Sequence, residues 1–231
     1  MKKLKWIKEE DLYLICKEII TNLENKTIEI EKDLHKNIVD PFSAIFDASF
    51  HKTSLQEWTE REKARQIQKS FQNTIGKFHQ KILGKTKGWI DLGTGGIADL
   101  VNIEKKIIAE VKNKFNTTKG NHKIAIYDDL EHLIQKKHKG FTGYYVPILS
   151  KKQCDKTFTP PDNKTKTRRK ENDKIREIDG ASFYELATGR KDAIKELYNI
   201  LPHIISDIIK IKKDKITKDP LFEELFTKAF K

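Results

Sequence analysis

The chain has 231 residues, 37% hydrophobic and 35% charged, with a formal net charge of +12. That length supports a real core, and no apolar run approaches a membrane span, which sets aside disordered and membrane-embedded classes. The charge speaks to partners rather than to fold: nucleic acid is the commonest polyanion, although lysine bias alone can supply part of the excess. Only Cys16 and Cys154 occur, far apart and without CxxC or CxxH company, which excludes a disulfide scaffold or a zinc ribbon. The opening Met-Lys-Lys is followed by Lys8, Glu9, Glu10 and Asp11, which interrupt any signal-peptide core, so a cytoplasmic location is expected.

In chain order, residues 9–24 carry Leu12, Leu14, Ile15, Ile19, Ile20 and Leu23 at helical spacing, with Cys16 as a core residue. Pro41 to Phe50 reads as a short buried helix or turn. Ser54 to Leu83 is the longest helical signal, with Ser54 and Glu57 in the capping-box pattern and Gly76 marking either a break or a close helix approach. Gly88–Gly93 and Ile97–Val101 read as short strands about a glycine-rich turn, and Lys106–Val111 as another. A helix over 121–138, a strong strand over 141–149 and a basic, proline-containing loop over 151–174 follow. Arg176–Asp179 reads as a short edge strand. Helix resumes from Ser182 or Lys191 to about Lys213, and a short helix follows Pro220. The order implies a mixed α/β domain, with a central mixed sheet flanked by helices.

The informative stretch runs from Asp99 to Lys112, where an aspartate is followed eleven residues later by Glu-x-Lys. With Glu104-Lys105 at the centre of a hairpin turn, antiparallel pairing sets Asp99 opposite Glu110. Side chains alternate along a strand, so Glu110 and Lys112 share a face and Val111 points away. Two carboxylates and one amine then converge, the oxygen-rich ligation that a hard cation such as Mg²⁺ prefers. Charges embedded at the ends of apolar strands are costly unless paired or metal-bound. The bland alternative is a solvated hairpin with salt-bridging charges.

Asp91-Leu-Gly-Thr-Gly-Gly-Ile97 also resembles the nucleotide-binding motif of class I, S-adenosylmethionine-dependent methyltransferases. Ile97 replaces the third glycine, however, and the span to Glu110 is too short for a crossover helix and its following strand. Tight turning beside the hairpin explains the glycines better.

Asp99 to Lys112 resembles the motif of the PD-(D/E)xK nuclease superfamily, with Ala98 in place of the proline. Asp40-Pro-Phe-Ser-Ala-Ile-Phe-Asp-Ala48, Gln72-Asn-Thr-Ile-Gly-Lys-Phe-His-Gln80 and Gly88-Trp-Ile-Asp-Leu-Gly93 are similar to a type II restriction endonuclease family that cuts GGNCC or GGWCC sites. So are Glu110-Val-Lys-Asn-Lys-Phe-Asn-Thr-Thr-Lys-Gly120, Ile126-Tyr-Asp-Asp-Leu130 and Ile178-Asp-Gly-Ala-Ser-Phe-Tyr184. The resemblance spans about residues 38–202, and the flanking helices add little to it. It implies a single nuclease domain over 1–231: a helical extension over 1–37, a core over 38–202 containing the basic loop, and a helical tail over 203–231.

The resemblance further implies Mg²⁺-assisted hydrolysis of double-stranded DNA by a homodimer. Asp99 and Glu110 would bind the metal, with the Val111 carbonyl as a further oxygen ligand. Lys112 would orient water or stabilise the phosphorane. Glu57, Glu60 and Glu62 are candidates for a third acid, and an exposed helix face explains them equally well. His79 and Gln80 are placed near the site, with a satisfied core role for His79 weighed equally. Arg168, Arg169 and Lys170, with Arg176 beyond, form the candidate DNA-reading segment, while Asn113, Lys114, Asn116 and Lys119 are placed to face DNA. A structure-specific repair or junction nuclease on the same core is the competing enzyme, and a basic DNA-binding protein with a degenerate hairpin the competing non-enzyme.

Overall fold

The computed structural model describes residues 3–93, 96–116, 118, 120–162, 166–210 and 214–230. The chain packs as two units: Met1–Cys16 with Phe78–Lys231, and Lys17–Lys77. Helix α1 (Glu9–Lys32) contributes to both.

The smaller unit holds the rest of α1, a 3-10 turn at Leu34–Lys36, α2 (Pro41–Phe50) and α3 (Leu55–Ile75). Asp40 caps α2 by accepting the Phe42 N–H at 3.0 Å, and Pro41 occupies the first turn, where its missing N–H costs nothing. The expected capping box forms: Ser54 Oγ accepts from Glu57 N at 3.1 Å, and the Glu57 carboxylate accepts from Ser54 N at 2.9 Å. The helix stops at Gly76, as the sequence suggests. One expectation fails. Helix α2 is not a buried helix, because it buries only Ala44 and Ala48, while Phe42, Ile45, Phe46 and Phe50 stay 57–82% exposed.

The larger unit is built on a mixed sheet in the order β1-β2-β3-β4-β8-β5. Its strands are β1 (Ile90–Asp91), β2 (Leu100–Asn102), β3 (Ile107–Lys114), β4 (Thr142–Leu149), β5 (Asp155–Thr157) and β8 (Ile175–Ile178). The pairs β1/β2, β2/β3 and β5/β8 are antiparallel, whereas β3/β4 and β4/β8 are parallel. The antiparallel β2/β3 hairpin leaves no room for a crossover helix, which disposes of the methyltransferase reading. Two strand expectations also need correction. The 151–174 loop contains β5 and a small hairpin of β6 (Pro161–Asp162) and β7 (Thr167–Arg168), and β5 covers β8, so β8 is not an edge.

Strand β4 is buried along both faces, as a parallel strand between helical layers should be. On one face lies α5 (Gly120–Gln135), whose Ile126, Tyr127, Leu130 and Leu133 join Val101, Ile108, Tyr145, Phe158 and Ile175 in one core. Beyond the sheet come α4 (Phe78–Leu83), α6 (Gly180–Thr188) and α7 (Ala193–Ile209), then α8 (Asp214–Thr217) and α9 (Leu221–Ala229). Two glycines set how closely the helices approach β4. A Cβ on Gly143 would lie 3.2 Å from Leu130 Cβ of α5, and one on Gly180 would lie 2.7 Å from Ile148 Cα. Trp6 donates to Glu196 at 3.1 Å and stands edge-on to Tyr184 at 5.9 Å, tying the first residues to α6 and α7. Among the described residues no helix is long and apolar enough to cross a membrane.

Because a methyl group at Gly180 must displace strand backbone rather than a flexible side chain, Gly180→Ala should cost about 3 kcal/mol and lower the melting temperature by roughly 6–12 °C. Differential scanning fluorimetry measures this directly; an unchanged melting temperature would show that α6 does not press on β4.

Candidate active site

The β2/β3 register pairs Leu100 with Ala109, Val101 with Ile108 and Asn102 with Ile107. Continued by one residue, it sets Asp99 against Glu110, as the sequence predicts. The turn is closed by Asn102, whose side-chain oxygen accepts the Lys105 N–H at 2.8 Å. Val101 and Ile108 belong to the core under α5, so alternation places Asp99, Glu110 and Lys112 on that same face.

The three side chains meet. Lys112 Nζ lies 2.5 Å from Glu110 Oε1 and 3.8 Å from Asp99 Oδ2. Asp99 is held from both sides: its N–H donates to the Ala109 carbonyl at 3.0 Å, and its Oδ2 accepts the Val111 N–H at 2.7 Å. The N–H and C=O of one strand residue point to the same edge, so the Val111 carbonyl lies on the Asp99 side of β3. The side chains are 18%, 15% and 26% exposed for Asp99, Glu110 and Lys112 respectively.

Burial sets the electrostatics. Desolvation raises the Asp99 pKa above the usual carboxylate range, opposed by the Lys112 charge and the Val111 N–H. Desolvation, followed by the neighbouring Asp99 charge, lifts Glu110 to about 7. Two carboxylates therefore share one lysine and retain an unmet demand for positive charge. All their donor atoms are oxygens, and with the Val111 carbonyl they suit a hard divalent cation such as Mg²⁺. Among the described residues no cluster of three His, Cys, Asp or Glu side chains has metal-binding spacing.

The candidate third acids are otherwise engaged within their own unit. Glu57 closes the capping box, Glu60 accepts from Lys63 at 2.8 Å, and Glu62 is buried against Arg65 and Gln66. His79 is a core residue, with Nδ1 2.8 Å from Tyr184 Oη, and burial pushes its pKa down to about 4. Gln80 donates to Asp91 Oδ1 at 2.8 Å, and Gly93 N donates to the same oxygen. Asp91, expected only as the acid that opens the glycine-rich motif, belongs beside this site, where its charge adds to the rise at Asp99. Its signal was an acid in a two-residue strand beside the glycine turn. Sequence reasoning passed over Lys123. It lies in the first turn of α5 with Nζ 5.7 Å from the ring centroid of Tyr145, the register partner of Glu110.

The expected DNA-facing residues fall into separate groups. Asn113 and Lys114 continue β3 beyond Lys112, Asn116 is exposed, and Lys119 lies outside the described residues. Arg169 makes a two-pronged pair with Asp128 of α5 at 2.8 Å for each bond and reaches Asp162 at 3.2 Å. Arg176 is paired with Asp155 at 2.7 Å. Arg168 and Lys170 are exposed, Arg168 with Nε 3.5 Å from Thr159 Oγ1.

Comparison with known proteins gives the arrangement its context. The sequence model of the Eco47II restriction endonuclease family matches residues 4–210. The type II restriction enzyme Eco47II of Escherichia coli is 44% identical over 214 residues, covering 90% of this chain and 89% of the relative. The type II restriction enzyme Sau96I of Staphylococcus aureus is 30% identical over 235 residues, covering 99% and 90%. With an α/β sheet carrying a carboxylate pair and a lysine on one hairpin, and a family match along most of its length, this chain belongs to the Eco47II restriction endonuclease family.

Proposed function

We propose that the protein is a Mg²⁺-dependent type II restriction endonuclease of the PD-(D/E)xK kind. It hydrolyses phosphodiester bonds at a short palindromic site in double-stranded DNA, GGNCC or GGWCC, and acts in the cytoplasm as a homodimer. The observation that carries this reading is the meeting of Asp99, Glu110 and Lys112 in a chain of a restriction endonuclease family. A two-fold symmetric site calls for two symmetrically placed subunits, one for each strand.

Asp99, Glu110 and the Val111 carbonyl would hold the Mg²⁺, which supplies the Lewis acidity that activates water and offsets charge on the scissile phosphate. Lys112 provides a fixed cation where charge develops on the phosphoryl oxygens, an effect strengthened by its partial burial. The Val111 N–H keeps the Asp99 carboxylate in one orientation. Lys123 adds a second cation on the α5 side, suited to a neighbouring phosphate. The pairing of Arg169 with Asp128 anchors the β6–β7 segment to α5 and leaves Arg168 and Lys170 at the surface. Those two residues are the readers we assign to guanine edges or flanking phosphates.

Incubation with unmodified phage DNA and Mg²⁺ tests the reading. Discrete fragments with ends inside GGNCC sequences are expected; cutting that follows branched structures instead would favour a junction nuclease, and no cutting would refute both. Lys112→Ala should reduce the single-turnover cleavage rate by about 10²–10³-fold. Its binding to uncut DNA in Ca²⁺ should change much less, as a gel-shift titration would reveal.

The raised Glu110 pKa fixes a pH dependence. A carboxyl whose pKa is higher in the folded protein than in the unfolded chain gives its full stability below the unfolded value, and that stability is lost as pH rises through the folded value, here about 7. Without metal, the melting temperature should therefore fall by roughly 5–10 °C from this group between pH 5 and 8. Added Mg²⁺ should restore most of the loss at pH 8 and little at pH 5, and Glu110→Gln should flatten both trends in thermal scans.

A further inference from the structure

We propose that two copies of this chain pair through their α2 faces, with Phe42, Ile45, Phe46 and Phe50 forming the centre of a two-fold interface. The proposal rests on the restriction-enzyme reading only in expecting a symmetric pair. The four residues recur at helical spacing along one side of α2, opposite the buried Ala44 and Ala48. They are 71%, 57%, 78% and 82% exposed, and Ile38 and Leu55, on the segments flanking the helix, are 101% and 56% exposed. Single exposed apolar residues are ordinary, but a stripe of three phenylalanines and an isoleucine on one ten-residue helix is not.

The size and charge of this face favour a second copy as the occupant. At roughly 150–200 Å² for each large side chain, scaled by its exposure, the four α2 residues offer about 450–600 Å², and Ile38 and Leu55 on the flanking segments bring this to about 700–900 Å², near what one partner contributes to a stable interface. Two chains that each carry a net charge of +12 repel each other overall. Helix α2 itself carries no cation: Asp47 is its one charged residue and is paired locally with Arg61 at 3.7 Å. The same lack of positive charge makes the face unsuited to the DNA backbone. An isologous contact requires a patch complementary to itself, and an apolar aromatic stripe meets that requirement without charge matching.

Sedimentation of the full chain, with and without a duplex carrying the cut site, tests the assignment. The wild type should run at twice the 27.0 kDa chain mass at micromolar concentration. The double variant Phe46→Glu, Phe50→Glu should run at the single-chain mass with unchanged circular dichroism, and its melting temperature should lose the concentration dependence that a dimer confers. Should that variant misfold, Phe46→Ala decides: its dimer dissociation constant should rise at least tenfold, and an unchanged constant would overturn the proposal. A monomeric wild type in both conditions would also overturn it, as would a double variant that stays dimeric. So would a double variant that loses thermal stability without any change in assembly, since the face would then be covered by its own chain. A wild-type dimer that the variant abolishes, but that cuts no DNA, would refute the nuclease reading and leave the interface standing.

Discussion

Two carboxylates buried beside a single lysine are the constraint to which the rest of the larger unit answers. Asp99 and Glu110 are brought together by the β2/β3 register, and a slip of one residue would turn Glu110 and Lys112 to the opposite face. Much of the surrounding structure maintains that register. Asn102 closes the turn, the Val111 N–H holds the Asp99 carboxylate, and β1 supports Asp99 from the other side through the Leu92 N–H to Asp99 carbonyl bond. Helix α4 braces β1 in turn. Its Gln80 donates to Asp91, and Gly84, immediately beyond the helix, has a Cβ position only 2.6 Å from Asp91 Cβ, so a side chain there would push the strand away.

Burial makes this pair useful rather than merely costly. At the surface the two acids and the lysine would form a weak, solvent-screened cluster. Beside the α5 core, the carboxylates hold their protons more tightly than free acids, which is the electrostatic form of a vacant demand for a cation. Lys112 meets that demand only in part. Its position 2.5 Å from Glu110 keeps a positive charge beside the carboxylates, the place that the proposed function gives to the scissile phosphate.

The hairpin was legible in the sequence because strand pairing is arithmetic: once the turn is placed at Glu104-Lys105, the partner of Asp99 follows. The capping box at Ser54 and the stop at Gly76 were legible for the same local reason. What failed depended on tertiary contacts that periodicity does not encode. The apolar residues of α2 read as core, since nothing local distinguishes a stripe that faces inward from one that faces solvent. Residues 155–157 read as loop because their strand exists only by pairing with β8. Arg169 and Arg176 stood out as rare arginines in a lysine-rich chain, but their pairing with Asp128 and Asp155 joins segments distant in sequence. The family match from residue 4 extends well before the expected start at residue 38, and Trp6 indicates why: it packs against Tyr184 and bonds Glu196 in the larger unit.

Whether Asp99 and Glu110 act together as one cation site is tested most directly by calorimetric titration of Mg²⁺ into DNA-free protein. The wild type should bind one or two ions at pH 8, with binding abolished in Asp99→Asn and in Glu110→Gln alike. Binding that survives unchanged in either variant would contradict the claim that this hairpin is the metal site.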